Sequence, residues 1–158
     1  MLATAIFAAG CFWGIQAVYE SVPGVVATEV GYTGGTQANP SYAEVCTGAT
    51  GHAESIKITY DPDIISYSAL LDILFGAHNP TTLNRQGPDV GTQYRSAIFY
   101  LNEDQKNIAL SKIKELNKSG KFAAPIVTEV TAAGPFYPAE QYHQKYLQKR
   151  GQTDCRLR

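Results

Sequence analysis

Leu2-Ala3-Thr4-Ala5-Ile6-Phe7-Ala8-Ala9-Gly10-Cys11-Phe12-Trp13-Gly14 is the stretch from which the rest of the chain is read. Leu2 to Ala8 is a short apolar run bounded by Gly10, the pattern of a buried strand. From Phe12 to Val22 the spacing changes: Ile15, Val18 and Tyr19 share one helical stripe, and Pro23-Gly24 ends it. Cys11 therefore stands where a strand stops and a helix begins, between two glycines. A thiol there meets unpaired backbone N–H groups and the positive end of the helix dipole, which favour the nucleophilic thiolate. Gly10 permits a tight turn, Gly14 allows close approach, and Phe12 and Trp13 are placed to wall a pocket beside the sulfur. The same residues also fit a structural cysteine packed among core aromatics.

The segment before Gly10 ends in Ala8-Ala9, but it lacks a basic n-region and runs straight into the cysteine turn. It reads as a strand rather than a signal peptide. No run approaches the roughly 18 apolar residues of a membrane span, so a cytoplasmic chain is expected. At 158 residues the chain builds one sizeable core rather than two. Hydrophobic residues at 44% and charged residues at 17% exclude a disordered chain. The net charge of −1, with no basic run denser than Lys149-Arg150, gives no nucleic-acid surface. Cys11, Cys46 and Cys155 are odd in number and widely spaced, matching neither a disulfide framework nor zinc. His52, His78 and His143 are not spaced as metal ligands, so no metal or bound cofactor is expected.

Outward from the first helix, Val25 to Val30 is strand-like, and a loop runs from Gly34-Gly35 through Asn39-Pro40. Ser55 to Tyr60 alternates, with Ile56, Ile58 and Tyr60 facing one way, and stops at Asp61-Pro62. Ser66 opens a helix to about Gly76 carrying Leu70, Leu71, Leu74 and Phe75. Asn79 to Gln93 is a Pro- and Gly-bearing loop too long for a connector, hence a functional candidate. Ala97 to Leu101 is a strand, Asn102 caps a helix to about Lys118, and Ile126 to Val130 is another strand. Pro138 to about Arg150 is the expected last helix. The order predicts a single α+β domain over 1–158, a two-layer sandwich of a mixed β-sheet packed by helices with a ferredoxin-like core.

Gly10-Cys11-Phe12-Trp13-Gly14 resembles the signature of the A-type peptide methionine sulfoxide reductases. Gly31-Tyr32-Thr33-Gly34-Gly35, Asn39-Pro40-Ser41-Tyr42, Glu44-Val45-Cys46-Thr47-Gly48 and Gly51-His52-Ala53-Glu54 are similar to the family's next blocks. So are Asn84 through Ser96, Phe136-Tyr137 and Tyr142 through Leu147, in the family's order and across nearly the whole chain. The resemblance implies reduction of methionine-S-sulfoxide, protein-bound and free, as repair after oxidative damage. It implies that Cys11 attacks the sulfoxide sulfur and that Phe12 and Trp13 form the apolar pocket for the S-methyl group. Glu44 matches the acid that protonates the oxygen. Tyr32 and Tyr94 match hydroxyls that bind the oxygen, and Asp89 matches a carboxylate ordering the polar cluster. His143 and Tyr146 match substrate-binding residues at the pocket's periphery. The chain departs at His78-Asn79-Pro80, where His-Asp-Pro is commoner, and at Phe75, near a position often filled by Trp.

The chemistry asks for these residue types. Thiolate attack on a sulfoxide builds charge on oxygen, so it needs a soft nucleophile, an acid protonated near neutral pH and hydroxyl donors. Glu44, between Tyr42-Ala43 and Val45-Cys46, is expected to have its pKa raised by desolvation. Attack leaves a sulfenic acid on Cys11, which condenses with a second thiol. Cys155, after Gly151-Gln152-Thr153-Asp154, is expected on a mobile tail over 151–158 as the resolving cysteine. The disulfide would then pass to an external dithiol, thioredoxin or, in vitro, dithiothreitol. Cys46 is expected to pack near Glu44 as a small hydrophobe. Oxidised methionine and thioredoxin are the expected partners of a monomer that engages neither nucleic acid nor membrane. Two other readings remain: a Cys-His acyl-transfer enzyme using Cys11 with His143 or His78, and a non-catalytic module whose aromatics capture a methyl-bearing side chain.

Overall fold

The computed structural model describes residues 2–145. Tyr146, Cys155 and the expected tail 151–158 lie outside the described residues. The first strand, β1 (Ala3–Ala9), is followed by α1 (Phe12–Glu20), β2 (Val25–Thr33), a short helix α2 (Tyr42–Cys46), β3 (Ala53–Tyr60) and α3 (Tyr67–Ala77). The long loop folds as a two-strand hairpin of β4 (Arg85–Gln86) and β5 (Asp89–Val90), ahead of β6 (Ser96–Tyr100). Helix α4 (Glu103–Ser119), β7 (Glu129–Ala132) and β8 (Tyr137–Pro138) complete the elements. The main sheet has six strands in the order β7-β6-β1-β3-β2-β8. All its pairs are antiparallel except β6–β7, which is parallel. Within it, β1-α1-β2 leaves room for β3, and β3-α3-β6 leaves room for β1. Two interlocked split βαβ units of this kind make the ferredoxin-like core.

Period-2 alternation divides the sheet between two apolar layers. Ala5, Phe7 and Ala9 of β1, Ile56 and Ile58 of β3 and Ile98 of β6 face α1 and α3. Ile6, Ala8, Ala53, Ala97 and Phe99 face the other side, where Ala133 and Phe136 cover them. Helix α3 buries Tyr67, Leu70, Leu71, Leu74 and Phe75, the i, i+3, i+4, i+7 spacing of a core-facing stripe. Each such leucine stabilises the fold by about 1.5–3 kcal/mol. Ser66 caps α3 by accepting from Ala69 N–H at 3.0 Å, and Tyr19 of α1 donates its buried hydroxyl to Leu70 O at 2.8 Å. Asn102 caps α4 in the same way through Gln105 N–H, and Gln105 Nε2 donates to Thr4 O of β1 at 2.8 Å. No helix among the described residues is long and apolar enough to cross a membrane.

Two expected elements are corrected. No helix starts at Pro138: the described part of that segment pairs Tyr137 and Pro138 with Tyr32 and Gly31, then makes a short 3₁₀ turn over Gln141–His143. The outer edge of β2 decides this, because its backbone groups need partners. Ala139 N–H donates to Val30 O, and the Gln144 amide pairs with both the N–H and the C=O of Val30. Gly31 is required there, since a Cβ would stand 2.4 Å from Tyr137 O. The strand expected over Ile126 to Val130 begins instead at Glu129. Ile126 N–H is held by Asn117 Oδ1 and Val127 N–H by Pro80 O, which postpones pairing with β6.

Candidate active site

Ala9, the last residue of β1, pairs with Ser96 of β6, so the chain leaves the middle of the sheet before turning into α1. Gly10 makes that turn at φ +86°, where a Cβ would meet Gln86 Cγ at 2.6 Å. Gln86 can lie against it because its amide brackets Asn79, accepting from Asn79 N–H at 3.0 Å and donating to Asn79 O. The β4–β5 hairpin is thereby tied to the end of α3, with Gln86 lying close over the Gly10 turn. Cys11 follows as the N-cap residue of α1 and is 8% exposed. Its sulfur thus stands at the positive end of the helix dipole.

The next amide carries the central contact. Phe12 N–H donates to Glu54 Oε1 at 3.2 Å, and Glu54 is 1% exposed. Glu54 is paired with Tyr32 across β2–β3, two residues before Ile56 and so on the face of Ile56, Ile58 and Tyr60. Two tyrosine hydroxyls and a thiol lie near enough to feel this carboxyl. Burial and then Glu54 push the Tyr42 hydroxyl well above its ordinary range. Burial and Glu54 push Tyr94 up to about 12, with Cys46 and Asp89 adding to it. Burial, eased by the Tyr42 hydroxyl, also raises the Cys46 thiol. Both tyrosines therefore remain O–H donors at any physiological pH.

An aromatic wall adjoins this carboxyl. The Phe12 ring lies 5.7 Å from Tyr32, 6.3 Å from Tyr42 and 5.3 Å from His143. Trp13 stacks on Tyr42 at 6.5 Å and on His143 at 5.6 Å, and its Nε1–H donates to His143 Nδ1 at 2.9 Å. A second carboxylate, Glu140, ties the wall together by accepting from Tyr32 Oη at 2.9 Å and from Tyr42 N–H at 3.0 Å. Burial pushes Glu140 up, but these bonds and His143 carry it below the ordinary carboxylate value. On the other flank of Cys11 a groove of about 1050 Å³ runs between α1, α3 and the hairpin, with Asp89, His78 and Phe122 in its walls.

Three expectations for the site change. Glu44 is exposed as the N3 residue of a capping box on α2: its Oε1 accepts from Ser41 N–H at 2.9 Å, and Ser41 Oγ accepts from Glu44 N–H at 3.2 Å. The Ser41 N–H, with the Gln37 amide, holds its carboxyl below the usual range, opposite to the raised value expected. Tyr32 is fully buried and its one hydroxyl proton is committed to Glu140. Cys46 is exposed as a residue, with its thiol only partly shielded, rather than packed as a small hydrophobe. Sequence reasoning gave no role to Glu54, Tyr42 or Glu140. Glu54 had a signal, because the alternation of Ile56, Ile58 and Tyr60 carried two positions back sets a carboxyl on the core face. Glu44 had one too, since Ser41-Tyr42-Ala43-Glu44 has the S-x-x-E form of a capping box.

The structure brings Cys11, Phe12 and Trp13 together at the start of α1, with His143 against the two rings. It sets Tyr94 near Glu54 and Asp89 in the groove wall. Each of the three histidines is engaged by a group other than Cys11. His78 bonds Leu74 O and Ser96 Oγ, His52 bonds Gln37 O and Gly35 N–H, and His143 bonds Trp13.

Comparison with known proteins gives the family. Residues 3–158 match the family model described as peptide methionine sulfoxide reductase. The chain is 56% identical over 155 residues to the peptide methionine sulfoxide reductase MsrA of Methanoculleus marisnigri, covering 98% of this chain and 94% of that one. Reduced Mxr1 from Saccharomyces cerevisiae superposes with a TM-score of 0.87 at 38% identity, over 96% of this chain and 87% of Mxr1. Mxr1 in complex with Trx2 superposes with a TM-score of 0.63 at 26% identity, over 92% and 84% of the two chains. A cysteine at a helix start, a buried carboxyl on the next amide and this near full-length likeness converge, and the chain belongs to the peptide methionine sulfoxide reductase family.

Proposed function

We propose that Cys11 reduces methionine-S-sulfoxide, in proteins and free, with Glu54 rather than Glu44 as the proton donor. The observation that carries this reading is the buried Glu54 carboxyl on the Phe12 N–H, one residue from the sulfur. Burial favours the neutral carboxyl that a donor must be. The Cys11 thiolate attacks the sulfoxide sulfur while Glu54 protonates the oxygen. The S–O bond of the substrate breaks and oxygen passes to Cys11, leaving Cys11–SOH and methionine: the cysteine loses two electrons and the sulfoxide gains them. Tyr42 and Tyr94 donate to the oxygen as charge gathers on it, and Asp89 orders Tyr94 from the hairpin. Phe12 and Trp13 hold the S-methyl group, with His143 at the slot's periphery and Tyr146 as a further substrate-binding residue.

The sulfenic acid then condenses with the Cys155 thiol, forming a disulfide and releasing water. A thioredoxin dithiol restores both thiols by exchange. The complex of Mxr1 with Trx2 supports that last step. The protein works as a cytoplasmic monomer in which Cys155 rides on the segment 151–158. The test is incubation with the separated sulfoxide epimers and dithiothreitol, quantifying methionine. Methionine from the S-epimer alone, lost in Cys11→Ser, supports the reading; equal yield from both epimers, or an active Cys11→Ser, refutes it.

A further inference from the structure

Trp13 is the only tryptophan of the chain, and its indole N–H can only donate. Because that N–H points at His143 Nδ1 at 2.9 Å, Nδ1 must be bare, and the neutral ring carries its proton on Nε2. His143 is 1% exposed, and its Nε2 has no hydrogen-bond partner among the described residues. Leaving a buried donor without a partner is unfavourable, so something else must hold this tautomer and orientation. The scaffold around it does so. His143 N–H is bonded to Glu140 O at 2.9 Å, the neighbouring Gln144 amide pairs with Val30 of β2, and Lys145 N–H reaches Gln16 of α1. The ring is then enclosed by Tyr142 at 4.1 Å, Tyr42 at 4.4 Å and Phe12 at 5.3 Å.

We propose that neutral His143 is the positioning residue that fixes the Trp13 indole as a wall of the methyl slot, and that protonating the imidazole releases it. The proposal rests on the reading of Trp13 as a wall of that slot. The imidazolium has an N–H on both nitrogens, so it would set a donor against the indole donor. The charged and titratable groups around the ring are Glu140 and Tyr142 on its own segment, Tyr42 of α2, Tyr32 of β2 through Glu140, and Glu54 of β3 behind Phe12. Burial lowers the His143 pKa and Glu140 raises it; burial prevails, which keeps the latch closed at neutral pH.

The lone tryptophan makes the latch observable without turnover. Trp13 emission and KM for the sulfoxide are followed against pH in the wild type, His143→Gln and His143→Phe. The wild type should show one emission step below the ordinary histidine range. KM should rise about five- to tenfold across the same step, the size of one lost hydrogen bond, with kcat changing less. Glutamine can accept from the indole but does not titrate, so His143→Gln should recover most of the binding and abolish the step. Phenylalanine fills the space without an acceptor, so His143→Phe should show the acid-form emission and the high KM at every pH. A step that persists in His143→Gln, or a wild-type KM and emission in His143→Phe, would overturn the latch. An emission step with constant KM would overturn its link to substrate, leaving Trp13 held by His143 but outside the slot.

Discussion

Glu44 and Glu54 flank the same loop and differ in nearly everything else. Glu44 is exposed on a short helix, where its carboxylate completes a capping box and is held as an anion by Ser41 and Gln37. Glu54 is buried on a strand face, on the amide that follows Cys11. A carboxylate held by N–H donors in water is a poor acid near neutral pH, and a carboxyl sealed among aromatics is the form that can give up a proton. Chemical type does not separate the two; the element that carries each does. The largest effect should follow. Glu54→Gln should lower kcat by about 10²–10⁴-fold, the range for removing a general acid, while Glu44→Gln stays within about twofold. Steady-state rates with dithiothreitol decide it, and the opposite ranking would return the acid role to Glu44.

His78 extends the contrast from catalysis to stability. It is the C-cap residue of α3, and its ring bridges Leu74 O at 2.7 Å and Ser96 Oγ at 2.7 Å. Burial pushes its pKa from 6.5 down to about 4, against the Leu74 carbonyl, which raises it. The unfolded chain therefore binds this proton more readily than the folded one. Its stabilising contribution is full above pH 6.5 and is lost as the pH falls from 6.5 towards about 4. Between pH 7.5 and pH 5 the wild type should lose about 2 kcal/mol more than His78→Gln in urea unfolding. Equal losses in the two proteins would mean that the ring already meets solvent.

The tyrosines repeat the division on a smaller scale. The Tyr42 and Tyr94 hydroxyls have their pKa raised by burial and then by nearby Glu54, whereas Tyr32 donates to Glu140. Tyr42→Phe should lower kcat by about tenfold with little loss of stability, as for one oxyanion-type donor of modest strength. Tyr32→Phe should do the reverse, costing about 1–2 kcal/mol of stability because the buried Glu140 contact is lost, with kcat changing less than for Tyr42→Phe. Rates and unfolding midpoints measured on the same preparations separate the two.

Much of this was legible in the residues. The apolar run ending at Gly10 gave β1, the alternation of Ile56, Ile58 and Tyr60 gave β3, and the leucine spacing after Ser66 gave α3, because each follows from local periodicity. The same periodicity reaches Glu54, so the buried carboxyl was readable once the strand was extended by two positions. The segment after Pro138 was not. Its conformation comes from the outer edge of β2, more than a hundred residues earlier in the chain, through Gly31, Val30 and the Gln144 amide. The commitment of Tyr32 to Glu140 was hidden for the same reason, since nothing near either residue announces the other.

The smallest expected effect concerns Glu44 itself. The box it completes fixes the start of α2, and the first residue of α2 is Tyr42, whose N–H is held by Glu140 and whose ring stacks on Trp13. Loosening the cap should therefore reach the site only through the placement of Tyr42. Glutamine can still accept from Ser41 N–H, so Glu44→Gln should leave the cap closed; alanine cannot, so Glu44→Ala should let α2 fray. The outcome expected for Glu44→Ala is a slight fall in the unfolding midpoint and a rise in KM of no more than about threefold, with the slope of kcat against pH unchanged. A change in that slope would show Glu44 exchanging protons during turnover and would return it to the acid role.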